Sequence, residues 1–328
     1  MQTIKVSTIE EVLEHLRRQI VAALRAGGFQ PPPEADIPGK CEQAVRAWVR
    51  LQHRGVPRGS RVVRESHEIR QRGLEPPTQS ALAAIRSEFE QGDDLTHRLT
   101  RQFYKAEFND FLFNTFGIQH IHLGTPRAGQ DTTKKHSMSG GGRALLFVLI
   151  GPRDGYFIDV VDHDVFNDPK MAKSLVQIVL RNWPDLLKPY MNPGVVSSDM
   201  SFEDAFRFAK AGFTTPFEVD GVVLVGGTVL DGKVTHDKRA SCTSIEVVVA
   251  TNRILNGVVR VVDFVTREVY ALAEVAESRM GARPSEFNLE VVRAGNILVV
   301  REQNTGMEVF DDGHDCGLLP FQGSSSKV

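Results

Sequence analysis

Hydrophobic and polar positions alternate along this chain with two different periods, and the change between them falls near Gly117. Before it the period is helical. "STIE" at 7–10 reads as a capping box made by Ser7 and Glu10. The segment "EEVLEHLRRQIVAALRA" then places apolar residues three and four apart until Gly27-Gly28 stops it. "QPPPEADIPG" predicts a linker, and "KCEQAVRAWVRLQHRG" a second amphipathic helix with Trp48 and Leu51 on its apolar face. Residues 55–78 are rich in Arg, Gly and Pro and predict loop or a short helix. From Thr78 to Phe116 the pattern is helical again, broken near "QGDD". Its last piece, "LTRQFYKAEFNDFLFNTFG", is dense in aromatic residues that need a surface to pack on.

After Gly117 the period shortens to two. "IQHIHLG" predicts a strand, and "TPRAGQDTTKKHSMSGGGR" a polar, Gly-rich loop. "ALLFVLI" is apolar on both faces, the signature of an interior strand. The short turn "GPRDG" joins it to the strand "YFIDVVDH" as an antiparallel hairpin. "DPKMAKSLVQIVLRNW" is a helix ended by Pro184, and "SFEDAFRFAKAG" a shorter one with Ser201 as cap and Gly212 as stop. "FEVDGVVLVGG" and "TVLDGKVTHD" read as strands with tight turns, Asp231-Gly232 being a hairpin signal. Ile245, Val248, Leu255, Val259, Val262, Val269, Leu272 and Ala276 recur at helical spacing and predict a long helix over 244–280, although β-branched content leaves a strand open for part of it. "NLEVVRAGNILVVREQNTGMEVF" returns to strands, and the tail "QGSSSKV" predicts disorder.

These elements define an α+β protein. The expected order is a helical N-terminal region (1–116), a small antiparallel-sheet domain (117–190), a linker with a short helix (191–212), a separate C-terminal α+β unit with a long helix (213–320), and a disordered tail (321–328). Pro184, Pro189 and Pro193 mark the connection before the C-terminal unit.

Composition adds bounds rather than identity. The chain has 328 residues, 41% hydrophobic and 24% charged, enough for a sizeable core. A net charge of −2 points to no particular partner. One stretch departs from that balance: Lys40 to Arg72 holds nine Lys/Arg against three acidic residues, a segment that can meet phosphates or serve as a solvated helix face. Arg253, Arg260 and Arg267 form a second basic stripe, read as a solvated face or an interface. Three scattered cysteines suggest no disulfide framework and fit a reducing compartment. Acidic residues occupy the place of a signal-peptide core, and the longest apolar run is too short to span a bilayer. The expectation is a cytoplasmic protein with no membrane association.

The chemistry-bearing side chains concentrate in 118–168. A strand sends alternate side chains to the same face, so His120 and His122 project together. Lys134, Lys135, His136 and Arg143 follow in and after the loop, then Tyr156, Asp159, Asp162, His163 and Asp164. The pattern "IHLG", Arg143 leading "ALLF", then "YFIDVVDHDVF" resembles the core of the RelE-type, barnase-like, metal-independent ribonuclease toxins over about fifty residues. The resemblance implies a small antiparallel sheet that cuts RNA by attack of its own 2′-hydroxyl on the adjacent phosphate. By that likeness Arg143 matches the Arg opening the central strand, Lys134 and Lys135 the basic loop, and His163 the polar position after the last strand. His120 and His122 have no clear counterpart in that family. Such chemistry needs a proton acceptor, a proton donor and fixed positive charge, which His, Arg and Lys supply.

The expected catalytic set is therefore His120, His122, Arg143 and His163, with Lys134, Lys135 and Tyr156 on the substrate, no metal and no cofactor. RNA is the expected substrate, with an inhibitory or regulatory protein as a further partner; the oligomeric state is left open. Two other readings stand beside it. The histidine pair can be satisfied sheet residues in a non-catalytic interaction protein. It can form a metal clip with Asp162, His163 or Asp164 in a metal-dependent phosphodiesterase, although the ligand spacing is unspecific. Gly140-Gly141-Gly142 lacks the Lys-Ser/Thr of a phosphate loop, and Cys316 beside His314 lies in a tail loop, a poor setting for a nucleophile. A catalytic site should gather His120, His122, Arg143 and His163 around one concave, solvent-open pocket; a binding scaffold can scatter them or bury them in pairs.

Overall fold

A computed structural model describes residues 4–105, 108, 110–124, 144–166, 168–191, 200–210, 216–225, 228–234, 240–281, 286–294, 297–304, 306 and 308–309. The first half holds β1 (Lys5–Val6), α1 (Ile9–Ala26), α2 (Cys41–Arg54), β2 (Val62–Glu65), α3 (His67–Gln71), α4 (Pro76–Gln91), α5 (Phe111–Phe116), β3 (Gln119–His122), β4 (Ala144–Ile150) and β5 (Asp154–Asp162). There follow α6 (Pro169–Asn182), α7 (Phe202–Lys210), β6 (Pro216–Val219), β7 (Val222–Val225), β8 (Thr228–Val234), β9 (Ala240–Ser244), α8 (Ile245–Arg267), α9 (Val269–Met280), β10 (Glu286–Phe287), β11 (Leu289–Ala294), β12 (Ile297–Glu302) and β13 (Glu308–Val309). The class is α+β, as the two periods require.

The chain divides into two compact units, and the division corrects the expected domain order. One unit takes Met1–Arg54, Tyr104–Glu107 and Glu246–Val328; the other takes Gly55–Phe103 and Phe108–Ile245. In the first, Val12, Leu16, Ile20 and Leu24 of α1 and Val45 and Trp48 of α2 share a core with Val247, Ile254, Val258, Val261 and Val265 of α8. β1 runs parallel to β10, Lys5 opposite Glu286. The expected C-terminal unit is thus split at Ile245, because the apolar face of α8 is covered by the N-terminal helices. That face runs through 247, 254, 258, 261, 262 and 265, which takes in the expected Val262 but lies one position off the expected 248, 255 and 259; the expected Val269 and Ala276 are buried on α9. Arg253, Arg260 and Arg267 are exposed, and the long helix breaks at Glu268.

Two local signals shift similarly. The capping box belongs to Thr8 and Glu11: Thr8 Oγ1 accepts from the Glu11 N–H at 3.2 Å and Glu11 accepts from the Thr8 N–H at 2.8 Å. Ser7, one place earlier, instead accepts from the Leu289 N–H at 3.0 Å. The tight hairpin turn lies at Asp220-Gly221, with φ of 51° and 78°, between β6 and β7. Asp231-Gly232 sits inside β8, where the register with β9 slips.

The second unit is built on a four-stranded sheet of order β2-β5-β4-β3. "ALLFVLI" is β4, an interior strand antiparallel to both neighbours, with Leu145 to Val148 buried. The sheet is mixed rather than purely antiparallel, because β2 joins β5 in parallel, Val62 opposite Asp154. β2 and α3 come from the stretch expected to be loop or short helix. Ser66 joins them: its hydroxyl donates to the Ile158 carbonyl at 2.7 Å and accepts from the Ile69 N–H at 3.0 Å. Helix α4 lays Phe89 on the sheet, 5.2 Å edge-on to Phe157. A second core gathers Leu145, Phe147 and Ile158 with Leu112 and Phe116 of α5, Leu175 and Val179 of α6, Phe202 and Phe206 of α7, and Phe217 and Leu224 of β6 and β7. The expected linker helix α7 is therefore part of this core. The tail 321–328 lies outside the described residues.

The basic stretch 40–72 is largely consumed by the fold. Arg46 pairs with Glu42, Arg58 with Asp94 at 2.9 Å, Arg64 with Asp154 at 2.8 Å and Arg72 with Asp159 at 2.8 Å. Arg61 donates to the Gly59 and Gly151 carbonyls at 2.8 and 3.1 Å, and Arg54 to the Lys105 carbonyl at 3.1 Å. Guanidinium forks that close carbonyls and carboxylates are structural connectors. This accounts for the charge excess without invoking a phosphate partner.

Candidate active site

The site begins with a helix that is only six residues long. Asp110 caps α5, accepting from the Phe113 N–H at 3.2 Å. Gly117, left-handed at φ 71°, ends it, and its N–H donates to the Phe113 carbonyl at 2.8 Å. Glycine reaches that conformation without the Cβ clash other residues meet. The chain reverses there into β3, which brings His120 back to the start of α5. The carboxylate Oδ2 of Asp110 lies 2.8 Å from His120 Nδ1, and both side chains are buried at 6% exposure. The contact is charge to ring: within this distance Nδ1 still has no aligned hydrogen-bond acceptor.

Along β3, His120 and His122 share a face opposite Phe147 and Leu145 of β4, with ring centroids 5.8 Å apart. After β5 a short 3-10 turn, His163–Phe166, crosses this end of the sheet. It sets the His163 ring 5.3 Å from His122 and the Phe166 ring 4.9 Å from His120. The result is a graded row: exposed His163, half-buried His122, buried His120, buried Asp110. The far end of β3 is held by Arg98, itself buried, which pairs with Glu88 at 2.5 Å and donates to the Gly124 carbonyl at 3.1 Å.

Electrostatics separate the members of the row. Both ring nitrogens of His122 are buried and lack a hydrogen-bond partner among the described residues. Burial, then the neighbouring charges of His120 and His163, hold its pKa down to about 4. It is a neutral imidazole at pH 7. Asp159, two strands away, is held by Arg72, and burial pushes its carboxyl above the usual range.

The structure thus brings together three of the expected catalytic residues, His120, His122 and His163. Arg143, Lys134 and Lys135, with His136 and the three glycines, lie outside the described residues. Tyr156 is not at the site. It stands opposite Leu149, four residues along β4 from the Leu145 that faces His122, or about 13 Å at ~3.3 Å per residue. There its ring packs edge-on against Trp183 at 5.2 Å. A position on β5 could not reveal this from sequence, since the strand is nine residues long and its two ends serve different places. Among the described residues no group of three or more His, Cys, Asp or Glu could hold a metal ion. Two members were not anticipated, Asp110 and Phe166. The signal for Asp110 was present as a cap, "ND" before "FLF", but capping does not announce contact with a strand ten residues on.

No protein family, curated protein or solved structure matches the chain.

Proposed function

We propose that the second unit carries an acid–base site for metal-independent cleavage of RNA, as an endoribonuclease-like toxin or defence effector. The observation that supports it is the convergence of His163, His122 and His120 on one end of the sheet, with a carboxylate behind them. In this reading neutral His122 takes the proton from the 2′-hydroxyl as that oxygen attacks phosphorus. His163, at the solvent side, gives a proton to the departing 5′-oxygen. Arg143, Lys134 and Lys135 supply positive charge to the phosphorane, by the likeness to the ribonuclease toxins. The products are a 2′,3′-cyclic phosphate and a 5′-hydroxyl.

The purified chain, incubated with RNA in EDTA, should yield those ends by mass spectrometry. His122→Gln or His163→Ala should lower the rate by about 10²–10⁴ while leaving circular dichroism unchanged, the usual effect of losing an acid or base. A folded double variant as active as the parent would remove both from the mechanism. Activity lost in EDTA and restored by zinc or manganese would move the reading to a metal enzyme. A second reading rests on the burial of His120 between Phe166 and Phe147, whose centroids lie 4.9 and 6.1 Å away. That setting suits a structural histidine in a non-catalytic interaction protein, and absence of any cleavage by the parent chain would favour it.

A further inference from the structure

The row ends on a group that the reading above does not use. Among the described residues Asp110 is one of few buried carboxylates, and its two oxygens face different ways. Oδ1 takes the Phe113 N–H at 3.2 Å and so caps α5, while Oδ2 lies 2.8 Å from His120 Nδ1. One side chain therefore joins a backbone duty to a ring duty. A carboxylate against one imidazole nitrogen selects the tautomer with the proton on that nitrogen and leaves the other as the lone-pair acceptor. Phe166 and Phe147 hold the ring from other directions, 4.9 and 6.1 Å between centroids, and neither offers a competing acceptor. The 2.8 Å separation is within hydrogen-bond reach, and hydrogen bonds of resting sites often tighten only when substrate is bound.

We infer that Asp110 is the positioning residue of the histidine row, fixing His120 as the Nδ1–H tautomer and compensating the positive charge that builds when the row takes up a proton. This rests on the proposed acid–base role of the row, but its primary readout does not. The substitution that isolates the ring duty is Asp110→Asn. Asparagine caps a helix as well as aspartate does, so α5 keeps its start while the carboxylate charge is lost and an amide can present N–H to the ring.

The test is long-range proton–nitrogen NMR of the histidine side chains in the full-length chain at pH 7.5, with His120 assigned by its loss in His120→Gln. The parent should show His120 as Nδ1–H, and Asp110→Asn should move it to Nε2–H or to a mixture, with melting behaviour close to that of the parent. A parent His120 in the Nε2–H form, or a spectrum unchanged by Asp110→Asn, overturns the inference whether or not the chain cleaves RNA. Where it does cleave, Asp110→Asn should lower kcat with little change in KM and shift its pH profile, because the carboxylate that compensates charge on the row, one ring behind the base His122, is lost. Asp110→Glu should restore only part of that rate. Full activity in Asp110→Asn with an unaltered pH profile would remove Asp110 from the mechanism and leave His122 and His163 in place.

Discussion

His122 carries two polar nitrogens into the protein with no hydrogen-bond partner for either among the described residues, a configuration that disfavours adding a charge. Its pKa of about 4 in the folded chain lies below the ordinary 6.5 it has when unfolded. As pH falls, the unfolded chain therefore binds this proton first, and stability drops. The contribution is complete above about pH 6.5 and lost on descent through pH 4, with an upper bound on the order of 3 kcal/mol at 1.36 kcal/mol per pKa unit. Glu14, which the hydrogen bond from Arg17 holds at about 2, acts in a lower window, between its ordinary 4.5 and 2. Urea midpoints at pH 7 and pH 4.5 should differ for the parent and differ much less for His122→Gln. Equal pH sensitivity in the two proteins would show that the ring is already hydrated in the native state. "HIH" is legible in sequence as two same-face histidines; the neutrality of one of them is not, because it comes first from burial by the packed chain and then from the charges of His120 and His163, the latter forty residues away.

At the scale of elements, the sheet owes its cover to one glycine. A Cβ at Gly155, on β5, would stand 2.8 Å from the Phe89 ring carbon Cδ1, inside van der Waals contact. Phe89 is fully buried on α4 and cannot retreat into solvent. Gly155→Ala should cost about 1–3 kcal/mol, the usual range for overpacking a core, and the paired change Gly155→Ala with Phe89→Leu should recover part of it. Thermal melts of the three variants decide this; an unaltered melting temperature in Gly155→Ala would mean that α4 shifts freely over the sheet. The four-residue β2 illustrates the opposite limit. "RVVRE" is too short to carry a period, and its strand state follows from pairing with β5 and from Ser66, both supplied by distant chain.

For the molecule as a whole, the contact division predicts which fragments hold together. Val247, Ile254, Val258, Val261 and Val265 of α8 are buried against α1 and α2, and each such side chain contributes roughly 1.5–3 kcal/mol when removed from water. A fragment of residues 213–320 exposes that face and should show no cooperative melt by circular dichroism. Adding a peptide of residues 1–54 should restore helicity and a cooperative transition. A cooperative melt of 213–320 alone would show instead that the C-terminal residues form a self-sufficient core. Among the described residues no helix is long and apolar enough to cross a membrane.

Periodicity alone determined the α+β class, the helices α1, α2 and α6, the interior position of "ALLFVLI", its hairpin with β5 and the shared face of His120 and His122. Each of these is written within a few residues, in a spacing that one helix or strand either satisfies or does not. Tertiary structure alone decided the rest. α8 is apolar on more than one side, so its spacing fits several faces, and the helices it meets choose among them. Asp110 reads as a cap, and only the reversal at Gly117 makes it a neighbour of His120. Tyr156 and His163 lie on and just beyond one strand, but its length carries them to opposite ends of the sheet. Local spacing fixes direction along an element; which directions meet depends on burying apolar faces that lie far apart in the chain, and that is a property of the packed molecule.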